Sequence, residues 1–327
     1  MATAENAKLE YESGQQSYTM SALTDSGDST TFTSSASIWS NKAGFAPVIR
    51  PNGILTGGAV TPAAAAGNDD VDVATLSCNL NGIVTTVAAA PDTAITRPAT
   101  NVSKVNSITI NSSGAVVVIP GTDGSTAAFV ETRGAAGGPP FIPVSSIEVA
   151  QVRVTSSTSA PITATEIYSV VGLHTETASF PLYESNYAEG SVTFLAALPA
   201  IHTGNEPKAV YASYAAPIFA QVSLATDFVA PETTHSITST QIYGTTLGST
   251  SSSLGQGSFT AYLEDGISDP LVQQKDFVLW FRFYPDRYKT SYLLCQGKLG
   301  VARTFPAGAD IQAACTINAV KAAIEVA

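Results

Sequence analysis

Apolar and polar positions alternate with a period of two along much of this chain, most clearly toward its C-terminal end. In the run from Phe277 to Tyr284, the positions Phe277, Leu279, Phe281 and Phe283 are strongly apolar, and Val278, Trp280 and Arg282 between them are more amphipathic. A period of two gathers the first set on one face of a strand. Next, Leu293, Cys295, Gly297, Leu299 and Val301 alternate with Leu294, Gln296, Lys298 and Gly300. Last, Ile311, Ala313, Cys315, Ile317 and Ala319 alternate with Gln312, Ala314, Thr316 and Asn318. The pattern predicts three consecutive strands, each with one dry face and one mixed or polar face. That is the signature of an antiparallel sheet with a core on one side and water on the other. A short helix is expected over 270–275, because Asp269 suits an N-cap and Pro270 suits the first helical turn.

Further strands are expected upstream over 147–154, 191–195 and 163–173. Residues 209–222 are ambiguous: their alanines permit a helix, but Pro217 argues against an unbroken one. Between 71 and 131 lies a block of strand candidates at 71–75, 83–88, 107–111, 115–119 and 127–131, with Asn111-Ser112-Ser113-Gly114 as a hairpin turn. Gly- and Pro-dense stretches at 50–68 and 134–143 flank this block and read as boundaries. The expected organisation is therefore a host β-sandwich made of 1–47 and 141–327, interrupted by an inserted β-rich domain over 48–140 with Gly/Pro-rich linkers. One continuous sandwich carrying two loose loops is the alternative.

Composition supports an all-β class. Of 327 residues, 44% are hydrophobic, enough for a core, while only 13% are charged, about half the usual share of ~25%. Long periodic helices rich in Leu, Glu and Lys are missing. With 15 basic and 26 acidic residues the net charge is −11, which argues against electrostatic capture of nucleic acid or anionic lipid. No stretch approaches the ~18 consecutive apolar residues of a membrane-spanning helix. Residues 1–16 are polar and charged, unlike a secretory signal, so folding in a cytosol is expected. Cys78, Cys295 and Cys315 are odd in number and widely spaced, which fits small buried hydrophobes better than disulfides or a zinc site.

The chemical inventory is thin. His174, His202 and His235 are far apart and match no metal-binding spacing. Asp69, Asp70 and Asp72 crowd three carboxylates together but lack the layout of a calcium loop, and read as a solvated strand entrance. Glu264-Asp265-Gly266 reads as a turn. Trp280, Tyr284, Tyr288 and Tyr292 could form a sugar-binding platform, although at strand spacing such residues more often pack at a core and its rim. No catalytic, cofactor-binding or metal site is expected, and no enzymatic activity.

Residues 248–258 are Ser- and Gly-rich between strand candidates at 241–245 and 259–263. Gly248, Ser251, Ser253, Gly255 and Ser258 would form either a hairpin tip in solvent or an arm ordered by a neighbour, reaching roughly 15–18 Å. Exposed sheet edges and such arms suit a protein that assembles with copies of itself. The polar face carrying Gln296, Lys298, Gln312, Thr316 and Asn318 could line a barrel shared between subunits.

The succession DPLVQQKDFVLWFRFYPDRYKTSYLLCQGKLGVARTF, followed by PAGADIQAACTINA, resembles the closing half of major tail tube proteins of long-tailed, siphovirus-like bacteriophages. The opening KLEYESGQQSYTMSALTDSGDSTTFTSSASIWS also looks like a tube-protein start. The segment between 51 and 84 departs from the minimal family pattern and looks like an inserted decoration domain. The resemblance implies sixfold rings whose inner sheets close a β-barrel, stacked through loops and arms around a tape-measure protein and closed by a tail terminator. The virion would be the site of action, after synthesis in the host cytoplasm, with DNA only a transient, non-specific cargo and no membrane partner. A lumen with few Lys and Arg avoids the polyelectrolyte sticking that would arrest a moving genome. An extracellular binding module, adhesin-like or carbohydrate-binding, is the alternative, and a β-rich depolymerase using the acidic clusters is a third.

Overall fold

A computed structural model describes residues 6–65, 67–169, 175–177 and 182–327. The chain is all-β. Among the described residues the only α-helix is Pro270–Gln273, and no helix is long and apolar enough to cross a membrane. The chain forms two compact units: unit 1 is Met1–Ser17, Ile38–Ala46 and Tyr214–Ala327, and unit 2 is Tyr18–Ser37 and Pro47–Ser213.

In unit 1 the strands run in the order Ala225–Val229, Gly257–Tyr262, Gln312–Ala319, Tyr292–Thr304, Val278–Tyr284, the first part of Lys8–Ala22, and the second part of Val210–Gln221. All the pairings given for these strands are antiparallel, with Leu279 opposite Gly297, Phe281 opposite Cys295, and Leu299 opposite Ile317. The dry face expected from the alternation is the core, with Leu9, Tyr11, Phe259, Leu279, Phe281, Cys295, Leu299, Cys315 and Ile317 all buried together, except at Phe277, which precedes the strand and is exposed. The expected helix forms directly before the Val278–Tyr284 strand. Leu271 and Val272 are its buried residues, and Pro270 occupies its first turn. The ambiguous 209–222 segment is a strand, Val210–Gln221, which contains Pro217.

Unit 2 holds several smaller sheets. Lys104–Ile110 lies between Val116–Pro120 and Ile147–Val154. Three-stranded sheets are built from Gly53–Gly57, Leu76–Leu80 and Ile83–Val87, and from Ala90–Ala94, Asp70–Val73 and Val60–Pro62. Their apolar faces meet in one core that includes Val71, Leu76, Ile108, Ile147 and Val152. The Asn111–Gly114 turn forms as expected, with Asn111 Oδ1 accepting the N–H groups of Ser113 and Ala115 at 3.0 Å each.

The units divide elsewhere than at 48–140. Pro47 does begin a unit 2 segment, but that segment continues to Ser213, because Ile147–Val154 pairs along seven residues with Lys104–Ile110 and is buried at every position. The 134–143 stretch is a packed loop within unit 2: Gly137, Gly138, Pro139 and Pro140 are buried, and a Cβ on Gly138 would lie 2.4 Å from the Thr132 carbonyl oxygen. Its glycines serve close approach of backbones, a use that composition cannot tell from a linker. Residues 127–131 are irregular, with the Glu131 carboxylate held by Arg153 at 2.6 and 2.9 Å. Of the strand expected over 163–173, Ile167–Tyr168 is observed, while residues 170–173 lie outside the described residues, as does His174.

Candidate assembly surfaces

Two surfaces of unit 1 gather the candidate residues. The first is the face of the sheet turned away from its core. Along Gln312–Ala319, exposed and buried positions alternate without interruption, so Ala314, Thr316 and Asn318 point to water while Ala313, Cys315, Ile317 and Ala319 point to the core. Cross-strand register sets Lys298 opposite Asn318, Gly300 opposite Thr316, and Thr304 opposite Gln312. A period of two then places Gln296, Lys298, Gln312, Thr316 and Asn318 on one face. The Asn318 side-chain amide donates to the Lys298 carbonyl at 3.4 Å. Lys298 is more than half exposed, and its ammonium lies 4.0 Å from an Asp276 carboxylate oxygen.

Gln296 is the exception on this face. It is half-buried opposite Trp280, and its Nε2 is a buried atom without a hydrogen-bond partner. Trp280 is itself buried, its indole N–H donating to the Trp39 carbonyl at 2.8 Å. Trp39 stacks on Tyr214 with ring centroids 5.1 Å apart. At this end, therefore, the chain's own 38–46 segment covers the face that the alternation leaves for water. The open surface lies toward Lys298, Thr316 and Asn318.

The second surface is an arm. Thr233–Ile242 and Thr245–Leu254 form a two-stranded ribbon that pairs along all ten residues of each strand. Its ladder joins no third strand among the described residues. Tyr243 and Gly244 make the two-residue turn, Gly244 at φ +85°, a conformation that favours glycine. At about 3.4 Å per residue the ribbon is roughly 34 Å long. It contains no Asp, Glu, Lys or Arg. The pairs Thr234/Ser253, Ser236/Ser251 and Thr238/Ser249 put hydroxyls on one face, with Ser236 and Ser251 oxygens 2.7 Å apart. The other face carries His235, Leu254 and Ile237, the last 78% exposed.

The arm thus begins well before Gly248. Gly248, Ser251 and Ser253 lie on its returning strand, and Gly255 lies at its base, where its N–H donates to the Glu232 carbonyl at 2.8 Å. Ser258 is not in the arm: it pairs with Thr316 inside the core sheet, because Phe259 and Ala261 beside it are core residues. The missed signal is Tyr-Gly flanked on both sides by Thr- and Ser-rich runs, which lack the apolar alternation that marks a half-buried strand.

The remaining candidates are dispersed. His202 is buried in unit 2 between the Ser146 and Glu206 carbonyls, at 2.9 and 3.3 Å. Burial pushes the Asp69 carboxyl up, but the Ser159 hydroxyl, Arg97 and the Ala160 N–H outweigh it and hold the group below the usual carboxylate range. Asp72 is likewise held low by the Ala64 and Asp92 N–H groups, so both aspartates tie loops together. Asp265 is held down at about 2 by the Ser268 hydroxyl and the N–H groups of Ile267 and Ser268. The four aromatic candidates do not share a platform: Tyr284 and Tyr292 lie 5.1 Å apart, Tyr288 is exposed, and Trp280 is buried. Burial pushes the Cys295 and Cys315 thiols up to about 12, leaving both as inert core thiols. Among the described residues no group of three or more His, Cys, Asp and Glu is placed to hold a metal.

Comparison with protein-family models, with curated proteins and with solved structures finds no match to this chain.

Proposed function

We propose that this chain is the structural subunit of a phage tail tube, assembling with copies of itself into stacked hexameric rings whose lumen conducts the genome. The arm is the observation that carries this reading. A lone two-stranded ribbon is at best marginally stable in water, and this one adds an exposed Ile237 and no charge of its own. Such a ribbon is a poor surface for a monomer and a good one for contact with a neighbouring subunit, where its length would be partnered.

The open sheet face supports the same reading. Around Thr316 and Asn318 its side chains are small or neutral apart from Lys298, whose charge faces Asp276, while Lys8, Glu10 and Arg282 share that face only on the neighbouring strands. A barrel lined in this way would offer phosphate little to bind, which is what a conduit for DNA needs. The tape-measure protein and tail terminator enter as partners through the family resemblance, and the virion as the place of action. This reading gives the chain no catalytic role and no cofactor.

Negative-stain electron microscopy of the concentrated protein tests the assignment. Rings or hollow tubes are the expected result. A uniform monomer that never joins a growing tail counts against it.

A further inference from the structure

We propose that Lys208 and Glu176 of unit 2 form a self-modification site, in which the lysine amine condenses with the glutamate side-chain carboxyl to give an internal amide cross-link. This inference is independent of the assembly reading. Both side chains are sealed from solvent, at 1% and 2% exposure, with Nζ 3.9 Å from Oε1.

The surroundings single out this pair. The neighbouring carboxylate, Glu148, is fully engaged: Arg133 donates to it at 3.2 and 2.6 Å, the Ser107 hydroxyl at 2.6 Å, and Gln151 Nε2 at 3.3 Å. It therefore does not compete for Lys208. His202 is occupied at both ring nitrogens by the Ser146 and Glu206 carbonyls. Glu176 accepts the Glu148 backbone N–H on Oε2 at 3.4 Å, while its Oε1, the oxygen nearest Lys208, is buried without a hydrogen-bond partner. An ion pair at this distance leaves that oxygen unsatisfied, a costly arrangement in a dry interior.

Burial also moves both groups toward their neutral forms, raising the Glu176 carboxyl and lowering the Lys208 amine. Neutral amine and protonated acid are the reactive species. The Nζ lone pair adds to Glu176 Cδ, and the Glu148 N–H supports the charge that develops on Oε2. The Cδ–Oε1 bond then breaks, and the hydroxyl leaves with one amine proton as water. No oxidant or co-reactant is required. In the product each polar atom has its partner in place. The amide N–H keeps the donation that Lys208 already makes to the Thr177 carbonyl, and the amide oxygen keeps the Glu148 N–H.

Intact-mass spectrometry and tryptic mapping of the purified full chain test this. The expected result is a mass one water below that of the sequence, no cleavage after Lys208, and one internally looped peptide over 154–275, since no Lys or Arg lies between Glu176 and Lys208, whose fragmentation gives no breaks between the two joined residues. Lys208→Met and Glu176→Ala should each restore the full mass. The wild-type spectrum decides the matter even where a variant fails to fold. A full wild-type mass with normal cleavage after Lys208 overturns the proposal, and so does a water loss that maps to a linear peptide elsewhere.

Discussion

The carboxylate of Glu12 accepts the backbone N–H of Trp280 at 3.1 Å, at the point where the ladder between their two strands stops. Main-chain pairing runs from Lys8 opposite Tyr284 to Tyr11 opposite Phe281, and at the next position a side chain takes over from the backbone. Glu12 is fully buried, and its other oxygen also accepts from the Ser40 hydroxyl and from Gln15 Nε2. One carboxylate thereby fixes the Val278–Tyr284 strand, the first strand and the 38–46 segment together.

Replacing Glu12 by Ala should therefore destabilise unit 1. The Trp280 N–H would be left buried and unsatisfied, at about 1–3 kcal/mol. Urea unfolding followed by tryptophan fluorescence reads the change, and an unaltered midpoint would show that another acceptor can serve Trp280.

Phe281→Asp places a charge at a fully buried position beside Phe259, whose ring centroid lies 6.1 Å away. An unpaired buried charge costs several kcal/mol, a large part of the stability of a domain. The variant should be insoluble or unfolded on expression. Soluble protein with a native circular dichroism spectrum would mean that Phe281 does not face the core.

Most of the arm can be removed without breaking a core-sheet pairing, because Glu232 and Gly255 already meet at its base through a 2.8 Å hydrogen bond, although Leu254 packs against the core and its loss costs some stability. Replacing residues 233–254 by a two-residue turn should leave unit 1 folded and abolish or strongly weaken self-association in sedimentation runs. Cutting residues 248–258 instead should unfold the protein, since Gly257 and Ser258 are paired with Ile317 and Thr316. Unchanged polymerisation of the armless chain would remove the arm from the assembly mechanism.

Much of unit 1 was legible in the sequence. Ala313, Cys315, Ile317 and Ala319 alternate with more exposed neighbours because that strand has a core on one side only, and Pro270 marks the start of a real helix, although the Asp269 side chain does not cap it and instead accepts the Gly266 N–H at 2.8 Å. The covering of Trp280 was not legible: Trp39 and Ser40 lie some 240 residues away in sequence, and nothing local announces the contact. Unit 2 misled for a different reason. Ile147–Val154 alternates in sequence yet is buried on both faces, because Glu148, Gln151 and Arg153 find internal partners in Arg133, Glu148 and Glu131. The arm is only half legible, since hydroxyl-rich strands give no hydrophobic period to read.

Acid should loosen the turn before the helix. Asp265 has its folded pKa at about 2, below the ~3.9 of an unfolded aspartate. A depressed carboxylate contributes stability that is present above the unfolded value and lost as the pH falls through the folded one. The stability difference between wild type and Asp265→Asn should thus be largest near neutrality and shrink from about pH 4 to about 2. A difference independent of pH over that window would show that the Ser268 and Ile267 contacts do not depend on the charge.

A cryo-electron microscopy reconstruction of the assembled protein tests the central claim most directly. The expected map is a hollow tube of stacked rings in which Lys298, Thr316 and Asn318 face the channel and the 233–254 arm is seated on a neighbouring subunit. A map in which those three side chains lie on the outer wall, or a protein that stays monomeric at every concentration, would contradict it.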